Sequence, residues 1–527
     1  QSEFSEFSFW NYVDICEITG AKYPAAPLGL LTVAALLPQQ WVFKLVDANV
    51  EPILTEHFEW ADIVCIGGML PQQQSMLSII DKAHQYGCPI VVGGPDPTSQ
   101  PNLYKSADYL VLGEGEVTIP MFLHDLERGY KSGIYKSEDK ADMTQAVVPR
   151  FDLIRFQDYI QVGIQYSRGC PFNCEFCDII ELYGRKVRTK TPEQIITELQ
   201  TLYDLGHRGH IDFVDDNFIG NKKNVKIVLP IIKEWSKTHK YPYYFSTESS
   251  INLADDSNLL QMMYDIDFRY VFVGIETPDD EILRLNNKKQ NVNKPIAEAV
   301  NKIYSYGMIV NGGFIIGFDN ETDQTAENMI QCIQDSGICM AMVGKMYALP
   351  KTQLTRRLKR EGRLFENDSE LKESTELDQM TSGLNFVTSR PRLDVLNDYI
   401  QVIKYIYDPR RYYERITYTC LNLKPANKFK PSILKMLKSI KAFSKVCIKV
   451  GFNKTTGWLY WKSLLTIISK NPRAIEAAVN LAAMFIHFQK QSKFIIDLTN
   501  IEIGNIVSSG EELYYQDKKL HLENMLG

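Results

Sequence analysis

Gln165–Cys177 reads QYSRGCPFNCEFC, and its three cysteines follow the spacing C-x3-C-x2-C. The motif follows an apolar run, Ile160–Gln165, that is typical of a β-strand. We therefore expect Cys170, Cys174 and Cys177 on a tight loop at the carboxyl end of a strand, where three thiolates converge on one centre.

An iron–sulfur cluster is the metal group that this spacing favours. Electron-carrier cubanes have four cysteine ligands, so three local thiolates would leave one iron open to bind a small molecule. Catalytic metal sites keep an open position in the same way. The alternatives are a three-cysteine zinc site and plain buried thiols. Structural zinc usually requires paired C-x2-C ligands with a fourth ligand nearby, and no histidine follows these cysteines before His207.

The motif, with Phe176 directly before its last cysteine, resembles that of the radical S-adenosylmethionine (SAM) superfamily. The resemblance implies a [4Fe-4S] cluster bound by the three cysteines, whose open iron chelates the amino and carboxylate groups of SAM. One electron then splits SAM into methionine and a 5′-deoxyadenosyl radical. It also implies an external electron donor such as flavodoxin or ferredoxin.

Length and composition indicate a soluble globular protein of several domains. The chain has 527 residues, 45% of them hydrophobic and 23% charged, with a net charge of −6. The other seven of the ten cysteines are scattered in apolar runs, which predicts buried thiols in a reducing cytosol. The first ten residues do not read as a secretory signal, and no uncharged apolar run approaches the length of a membrane span. We expect a cytoplasmic enzyme.

Residues 1–150 alternate β-rich and helical runs, and alternation of this kind predicts a parallel, doubly wound α/β sheet. The predicted strands are Val42–Val46, Ile63–Gly67, Pro89–Val92 and Tyr109–Leu112, and the predicted helices are Leu28–Leu37 and Ser75–Tyr86. Ligands of such sheets bind in the crevice beyond the carboxyl ends of the strands.

Glycine-rich turns occur at those predicted strand ends, where the backbone can approach a large flat ligand closely. They contain Gly67, Gly68, Gly93, Gly94 and Gly113, the last followed by Glu114. Each turn alone is weak evidence. As an ordered set, they resemble the cobalamin-binding domain that precedes the radical SAM domain in one large subclass, and this implies a Rossmann-like domain with these residues at the cofactor.

The motif D-x-H-x-x-G, whose histidine ligates cobalt in many cobalamin domains, is missing here. The nearest string, Asp81–Gly87, has one residue too many and lies late on a predicted helix. His84 is therefore predicted to be a surface helix residue. We expect any bound cobalamin to have no protein histidine beneath its cobalt.

A turn-rich linker, Asp139–Phe156, leads into six strand–helix repeats, which predict a partial (β/α)6 barrel over residues 151–365. The predicted strands are Ile160–Tyr166, His210–Val214, Tyr243–Thr247, Tyr270–Ile275, Ile309–Ile316 and Ala341–Tyr347. The predicted helices include Pro192–Leu205, Asn224–Lys237 and Lys294–Tyr306. Chemistry in barrels of this type gathers at the carboxyl ends of the strands.

Polar and glycine residues follow those strand ends. By resemblance, Asp215, Asp216 and Asn217 lie where the superfamily contacts the SAM amino group, and Glu248 and Glu276 where it contacts ribose or methionine. Gly313 and Gly317 lie where it lines adenine. The alternative for each acidic or amide residue is ordinary helix capping.

Longer strings resemble the cobalamin-type radical SAM group that includes the hopanoid C-2 methylases, over about residues 9–365. They are Pro27–Ala35, Ser167–Asp178, Gly184–Lys190, Phe213–Asn221, Gly274–Pro278, Gly313–Asp319 and Ala348–Pro350. Ala26 departs from the group, which often has proline there. The resemblance implies a cobalamin-dependent methyltransferase acting on an unactivated carbon of a lipid, polyisoprenoid or other small molecule. One alternative is another SAM-derived transfer, such as that of the aminocarboxypropyl group, with a structural or empty cobalamin domain. The other is a non-catalytic protein, either an iron–sulfur scaffold or a membrane-surface adaptor.

Residues 366–527 are predicted to form a mainly helical domain. Between Arg415 and Ile475 there is no Asp or Glu but thirteen Lys and Arg. Pro431–Val450 is amphipathic and basic, a pattern of helices that lie on an anionic membrane surface, so we expect peripheral contact with the inner face of the membrane there. The alternative is a basic face packed on the barrel. Asn471–Phe488 is predicted to be a core helix or lid. Nucleic-acid binding is not expected, because aromatic residues are not interleaved with the lysines.

Overall fold

The computed structural model describes residues 2–4, 8, 11–365 and 383–516. Its strands are β1 (Tyr23–Ala25), β2 (Val64–Gly67), β3 (Ile90–Gly93), β4 (Tyr109–Leu112), β5 (Gly133–Lys136), β6 (Tyr159–Ile164), β7 (Ser167–Arg168), β8 (Arg188–Thr189), β9 (Gly209–Phe213), β10 (Tyr243–Ser249), β11 (Phe268–Glu276), β12 (Ile309–Ile316) and β13 (Ala341–Lys345).

The helices are α1 (Val13–Thr19), α2 (Leu28–Leu36), α3 (Thr55–Trp60), α4 (Gln73–Gln85), α5 (Pro95–Ser99), α6 (Gly115–Glu127), α7 (Ile179–Leu182), α8 (Pro192–Asp204), α9 (Lys222–Thr238), α10 (Ser257–Asp265), α11 (Asp280–Leu285), α12 (Ile296–Ser305), α13 (Thr325–Ser336), α14 (Gln353–Arg360), α15 (Arg392–Ile406), α16 (Pro409–Asn422), α17 (Ile433–Val446), α18 (Gly457–Lys470) and α19 (Ile475–Ser509).

A seven-stranded parallel sheet forms the curled half-barrel, in the order β1-β6-β9-β10-β11-β12-β13. All six predicted barrel strands are present, with ends that differ by at most two residues. The seventh, β1, pairs with β6 through Tyr23 opposite Tyr159 and Ala25 opposite Gln161. Strand β1 belongs to the predicted N-terminal domain, so part of that domain contributes an edge strand to the barrel sheet. The domain boundaries at residues 150 and 365 stay predictions.

A smaller parallel sheet, β2-β3-β4-β5, confirms three of the strands predicted before residue 150. Alternate residues of β3 enter opposite apolar clusters: Ile90 packs with α4, and Val91 packs with α6. The sheet therefore has helices on both faces, as a doubly wound fold requires.

The predicted strand Val42–Val46 is wrong, because this segment has no ladder partner among the described residues. Phe43 and Trp41, two positions before it, pack on the apolar cluster around Val91, but their backbone forms no strand pair within the described part of the chain. Alternating apolar and polar residues indicate a segment with one face buried. An extended segment that pairs with no strand gives the same pattern as a β-strand. In addition, sequence reasoning missed the short strand β5, which pairs with β4.

The C-terminal helices share one apolar core with the barrel. Helix α15 lies along the edge strand β13, where the hydroxyl of Tyr399 donates to the carbonyl of Val343 at 3.1 Å and that of Tyr407 donates to Ala341 at 2.7 Å. An open sheet edge invites further strand pairing, and here tyrosine side chains occupy it.

Two predicted C-terminal helices exist with different ends. The predicted segment Pro431–Val450 forms α17 and continues into a π-helical turn, Cys447–Gly451. The predicted segment Asn471–Phe488 begins with a 3-10 turn and then runs to Ser509 as α19, because buried apolar side chains such as Ile495 and Ile506 continue its packed face. None of the described helices combines the length and the apolar character needed to cross a bilayer. Residues 366–382 and 517–527 of the predicted C-terminal domain lie outside the described residues.

Candidate active site at the barrel rim

The cysteine loop is held by a small antiparallel hairpin, in which Ser167 pairs with Thr189 and Arg168 with Arg188. Gly169 has φ +90°, and a Cβ atom there would lie 2.8 Å from the carbonyl oxygen of Gly184. Only glycine fits this position without strain. The hairpin thus fixes the direction in which the chain enters Cys170.

The three cysteines lie on a loop beyond the end of β6, as the sequence predicts, with the short strand β7 between β6 and Cys170. Cys174 is buried, and Cys170 and Cys177 are half-buried; burial raises the pKa of the latter two thiols. All ten cysteines of the chain are free thiols. Among the described residues, no set of three or more His, Cys, Asp or Glu side chains is arranged around a single metal ion. A cluster has a different requirement, because each thiol binds a separate iron.

Side-chain amides surround these sulfurs. The Nδ2 atom of Asn217 lies 3.8 Å from the Sγ of Cys170, and the Nε2 atom of Gln290 lies 3.6 Å from the Sγ of Cys174. Hydrogen-bond donors near cysteine sulfurs stabilise thiolates and tune a bound cluster. Asn217 was a predicted site residue, whereas Gln290 was missed.

Lys288 and Glu276 form a buried ion pair beside the cysteines. The Nζ of Lys288 lies 2.5 Å from the Oε1 of Glu276 and 5.8 Å from the ring centre of Phe176. Burial acts to lower the pKa of Lys288, but Glu276 and the nearby Cys174 outweigh it and raise the pKa. The lysine is therefore a fixed positive charge next to the thiols. Sequence reasoning placed Glu276 at the rim but missed Lys288, which no motif marks.

The predicted SAM residues at the end of β9 take different roles. Asp215 is buried and accepts hydrogen bonds from the backbone N–H groups of Tyr166 and Ser167, so its carboxylate holds the start of the cysteine loop. Asp216 has a buried oxygen, Oδ2, without a hydrogen-bond partner among the described residues. An unpaired buried carboxylate oxygen is unfavourable without a ligand. Asp216 is therefore better placed than Asp215 to contact a ligand.

Four carboxylates, which we call the acidic group, gather at this part of the rim: Asp212, Asp215, Asp216 and Glu248. Burial, with the neighbouring negative charges, raises the pKa of Glu248 to about 8. Burial likewise raises the pKa of Asp215 to about 7 and that of Asp216 to about 6. Such a group favours a cationic ligand, because a positive charge would relieve the repulsion.

Asp212 is the member of the acidic group that sequence reasoning missed. Alternation in β9 places it on the same face of the strand as His210. Both side chains contact the hydroxyl of Ser246 on the neighbouring strand β10, which donates to Asp212 and lies 2.7 Å from the Nε2 of His210. The alternation of side chains along β9 was the sequence signal from which Asp212 could have been predicted.

Contacts within the protein account for Gly313, inside β12, and Gly317, just after it. A Cβ atom at Gly313 would lie 2.8 Å from the ring of Phe272 on the neighbouring strand. Gly317 has φ +104°, and its N–H donates to the buried carboxylate of Glu321 at 2.9 Å. Burial raises the pKa of Glu321 to about 8. The adenine contact expected of both glycines stays a prediction.

The glycine turns of the small sheet lie together at the carboxyl ends of its strands. Gly94 has φ +97°, and a Cβ atom there would lie 2.9 Å from the backbone nitrogen of Gly68. A Cβ atom at Gly93 would lie 2.8 Å from the carbonyl oxygen of Val111. Close contact between neighbouring turns therefore accounts for these glycines before any ligand is considered. At Gly113, with φ +89°, the surroundings are more open.

Glu114 joins the small sheet to the cysteine loop. Its carboxylate lies 2.9 Å from Arg168 and 2.8 Å from Arg188, and Glu116 lies 2.7 Å from Arg168. Only 1% of the Glu114 side chain is exposed. Burial acts to raise the pKa of Glu116, and hydrogen bonds from Arg168 outweigh it, so that the pKa is lowered. Both oxygens of Glu114 are thus engaged by arginines, and the cofactor contact expected of it stays a prediction.

These ion pairs place the carboxyl ends of both sheets opposite each other. A second link supports this arrangement, since Lys351, after the last barrel strand, donates to the carbonyl of Thr98 at 2.7 Å. His84 lies elsewhere, because it is exposed and contacts Asp108, which precedes β4. Its predicted surface position is confirmed. A ligand between the sheets would lie beside the glycine turns on one side and the cysteine loop on the other.

Helix α14, the first helix after the barrel, contacts the cysteine loop. Arg357 of α14 donates to Glu175 at 2.7 Å and to Asp319 at 2.7 Å. Beside it is a cavity of 740 Å³ lined by Glu175, Gln353, Arg356, Lys359 and Arg360. A second cavity, of 470 Å³, lies on the other side of the loop and includes Pro171, Phe172, Arg185 and Lys222.

Three family models match the chain. The B12 binding domain matches residues 18–123, the Radical SAM superfamily matches residues 164–333, and a domain of unknown function (DUF4070) matches residues 352–499. The first two agree with the small sheet and the barrel. The third begins at α14 and extends through most of α19.

Two relatives and two solved structures are similar to this chain. The uncharacterized methyltransferase sll1242 of Synechocystis sp. is 41% identical, over 97% of this chain and 94% of the relative. The hopanoid C-2 methylase of Rhodopseudomonas palustris is 42% identical, over 65% of this chain and 66% of the relative. The cobalamin-bound radical SAM methyltransferase TsrM of Kitasatospora setae has a TM-score of 0.55 at 16% identity, covering 64% of this chain and 76% of that one. The cobalamin-dependent radical SAM enzyme OxsB has a TM-score of 0.56 at 14% identity, covering 94% and 80%. At these identities the two structures support the fold alone.

Proposed function

Because the chain belongs to the cobalamin-dependent radical SAM methyltransferases, we propose that it methylates an unactivated carbon of a lipid or polyisoprenoid. The cofactors of this family are a [4Fe-4S] cluster, SAM and cobalamin. When bound, they supply the radical chemistry and the transferable methyl group that no side chain provides. The residues of the chain position them and exclude water.

The rim residues fit these cofactors. Cys170, Cys174 and Cys177 would hold the cluster, with amides of Asn217 and Gln290 next to the sulfurs. Asp216 and Glu248 of the acidic group would bind the positive charge of SAM, since Asp216 has an unpaired buried oxygen and Glu248 lies beside carboxylates whose repulsion a cation would relieve. The glycine turns around Gly113 would face the cobalamin.

One observation carries the proposal: the carboxyl ends of the two sheets meet through Arg168, which lies two residues before Cys170 and contacts Glu114 and Glu116. The glycine turns of the small sheet would hold cobalamin, which would supply the methyl group, and the barrel rim would hold the substrate that receives it. Buried, bidentate arginine–carboxylate contacts hold such a geometry more firmly than exposed pairs do.

The two alternatives are not favoured. An aminocarboxypropyl transfer would leave the B12 domain without a cofactor-binding role, whereas the B12 binding domain is matched over residues 18–123. A non-catalytic scaffold does not explain the buried acidic group. The similar relatives are named methyltransferase and methylase.

Support for a lipid substrate comes from the relatives. The enzymes of Rhodopseudomonas palustris and Methylococcus capsulatus are named hopanoid C-2 and hopanoid C-3 methylase. A lipid acceptor also agrees with the exposed apolar side chains of α17 and α18. Identification of the acceptor carbon requires the product.

A separate electron donor, such as flavodoxin or ferredoxin, is part of the proposal. The cavity beside the cysteine loop is lined by the cationic side chains of Arg356, Lys359 and Arg360. Such a surface complements an acidic electron carrier. Reversing two charges, with Lys359→Glu and Arg360→Glu, should slow turnover with flavodoxin but not with dithionite. Equal slowing with both reductants would contradict this docking site.

The test of the proposed function uses anaerobically reconstituted enzyme, methyl-deuterated SAM, and the lipid and water-soluble fractions of one cell extract. Mass spectrometry should find the label in a lipid product. The variant with Cys170, Cys174 and Cys177 replaced by alanine is the control and should form none. Label found only in water-soluble products would overturn the lipid assignment.

A further inference from the structure

The C-terminal helices expose an unusual number of large apolar side chains. Of the 29 exposed large apolar side chains among the described residues, eleven fall within residues 433–468. We call this surface the apolar–basic face. Its members are Ile433, Leu434, Met436, Leu437, Ile440, Phe443, Ile448, Phe452, Trp458, Leu465 and Ile468. Exposed apolar side chains concentrated in one stretch of the chain indicate an interaction site.

The apolar side chains of α17 lie outside the body of the protein over most of the helix. Residues 431–441 are all exposed, and Leu434 is 74% exposed. The predicted alternative, a basic face packed on the barrel, therefore describes Lys435, which donates to the carbonyl of Arg208, but not the exposed apolar side chains of this stretch. Helix α18 packs its buried residues inward and exposes Trp458 and Leu465 on its other side.

A rigid corner connects the two helices. Val446 and Val450 are buried, and the indole of Trp461 donates to the carbonyl of Gly451 at 3.0 Å. A Cβ atom at Gly457 would lie 2.5 Å from the same carbonyl oxygen, so the turn and α18 are in close contact. The two exposed helix faces are thus held together by a fixed turn.

Lysines of this region divide into two sets. Lys449 pairs with Glu17 at 2.7 Å, Lys445 donates to the carbonyl of Glu17 at 2.6 Å, and Lys435 donates to the carbonyl of Arg208. These three attach α17 to the body. The second set is exposed and forms no salt bridge within the described part of the chain: Lys438, Lys441, Lys454 and Lys462.

The absence of acidic residues from Arg415 to Ile475 leaves this positive charge uncompensated locally, in a chain whose net charge is −6. Exposed lysines next to apolar side chains suit an anionic bilayer, where the ammonium groups meet lipid phosphates and the apolar groups enter the interface. A tryptophan such as Trp458 is typical of that depth. A second copy of the chain would bring the same lysines against each other.

We propose that the apolar–basic face, formed by α17, the turn and α18 together, binds the surface of an anionic lipid bilayer. This extends the predicted contact of Pro431–Val450 to a second helix, and it rests on the proposed function only in the choice of a lipid substrate. Bound in this way, the enzyme lies on the membrane that holds its acceptor.

The test measures co-sedimentation of the full-length, reconstituted enzyme with vesicles of phosphatidylcholine, with and without phosphatidylglycerol. The wild type should bind the anionic vesicles and bind neutral ones weakly. The charge variant Lys438→Glu/Lys441→Glu and the apolar variant Leu434→Ser/Leu465→Ser should each lower binding by about tenfold or more. The charge variant tests the lysines of α17, and the apolar variant tests apolar side chains of both helices together.

Matched controls are Lys223→Glu/Lys237→Glu and Ile227→Ser/Ile231→Ser, which change exposed residues of α9. They should bind as the wild type does. Deoxyadenosine formation without vesicles should be the same in all variants, which separates loss of membrane binding from loss of the proposed chemistry. Wild-type binding by both test variants would overturn the proposal. The proposal would also be overturned if the wild type bound no vesicles and instead formed a dimer that the apolar variant dissociates.

Discussion

Positive charge is used in opposite ways at the two ends of this molecule. At the barrel rim, Arg168 and Arg188 are nearly buried and are engaged by Glu114 and Glu116. On the apolar–basic face, lysines such as Lys438 are exposed and have no carboxylate partner among the described residues. Arginine holds a geometry because its planar group binds carboxylates at two points, whereas lysine is a mobile point charge. The first region therefore aligns parts of the enzyme, and the second meets a partner.

The largest effect is expected at the cysteines that we propose hold the cluster. Cys174→Ala should lower deoxyadenosine formation more than about 100-fold, because a cluster ligand is lost. The half-buried Cys332, on α13, is the control, and Cys332→Ala should retain activity and iron content. Iron analysis and EPR of the reduced protein check both. Full activity in Cys174→Ala would show that this loop does not hold the cluster.

The next effect tests the buried arginine. Arg168→Ala leaves the largely buried carboxylate of Glu116 without its partner and should lower the free energy of unfolding by about 3 kcal/mol. Methyl transfer should fall more than deoxyadenosine formation, since the two sheets lose their link. The control Arg150→Ala removes a more exposed pair with Asp152 and should cost less than about 1 kcal/mol. A similar loss of unfolding free energy in both variants would contradict the distinction between buried and exposed ion pairs.

The acidic group predicts a pH dependence of SAM binding. With a pKa of about 8, Glu248 is mostly protonated at neutral pH and must lose its proton to bind a cation. Apparent affinity for SAM should therefore rise about tenfold between about pH 7 and pH 9. Glu248→Gln should flatten this rise, and the exposed-residue control Glu298→Gln should keep it. An unchanged profile in Glu248→Gln, measured by equilibrium binding, would exclude this role.

The smallest effect belongs to the exposed face. Ile433→Ser should change the free energy of unfolding by less than about 0.5 kcal/mol, because Ile433 is 73% exposed. In the same helix, Val446→Ser should cost about 2 kcal/mol, since Val446 is buried. Urea unfolding compares the two. A large loss in Ile433→Ser would mean that this face packs within the protein.

The cysteine loop could be predicted because its three cysteines lie in one short segment of the sequence. The same holds for the barrel strands, whose apolar runs are long. The link between Arg168 and Glu114 could not be predicted, because its residues are 54 positions apart and charged residues alone do not name their partners. Lys288 was missed for the same reason. The three residues of β1 are too few to show a period.

Methyl transfer by this protein is expected to require radical cleavage of SAM. The most direct measurement quantifies, by mass spectrometry, deoxyadenosine, S-adenosylhomocysteine and methylated product in one reaction of the reconstituted enzyme. We expect both SAM products to accompany the methylated product in near-equal amounts. S-adenosylhomocysteine and methylated product without deoxyadenosine would contradict this mechanism.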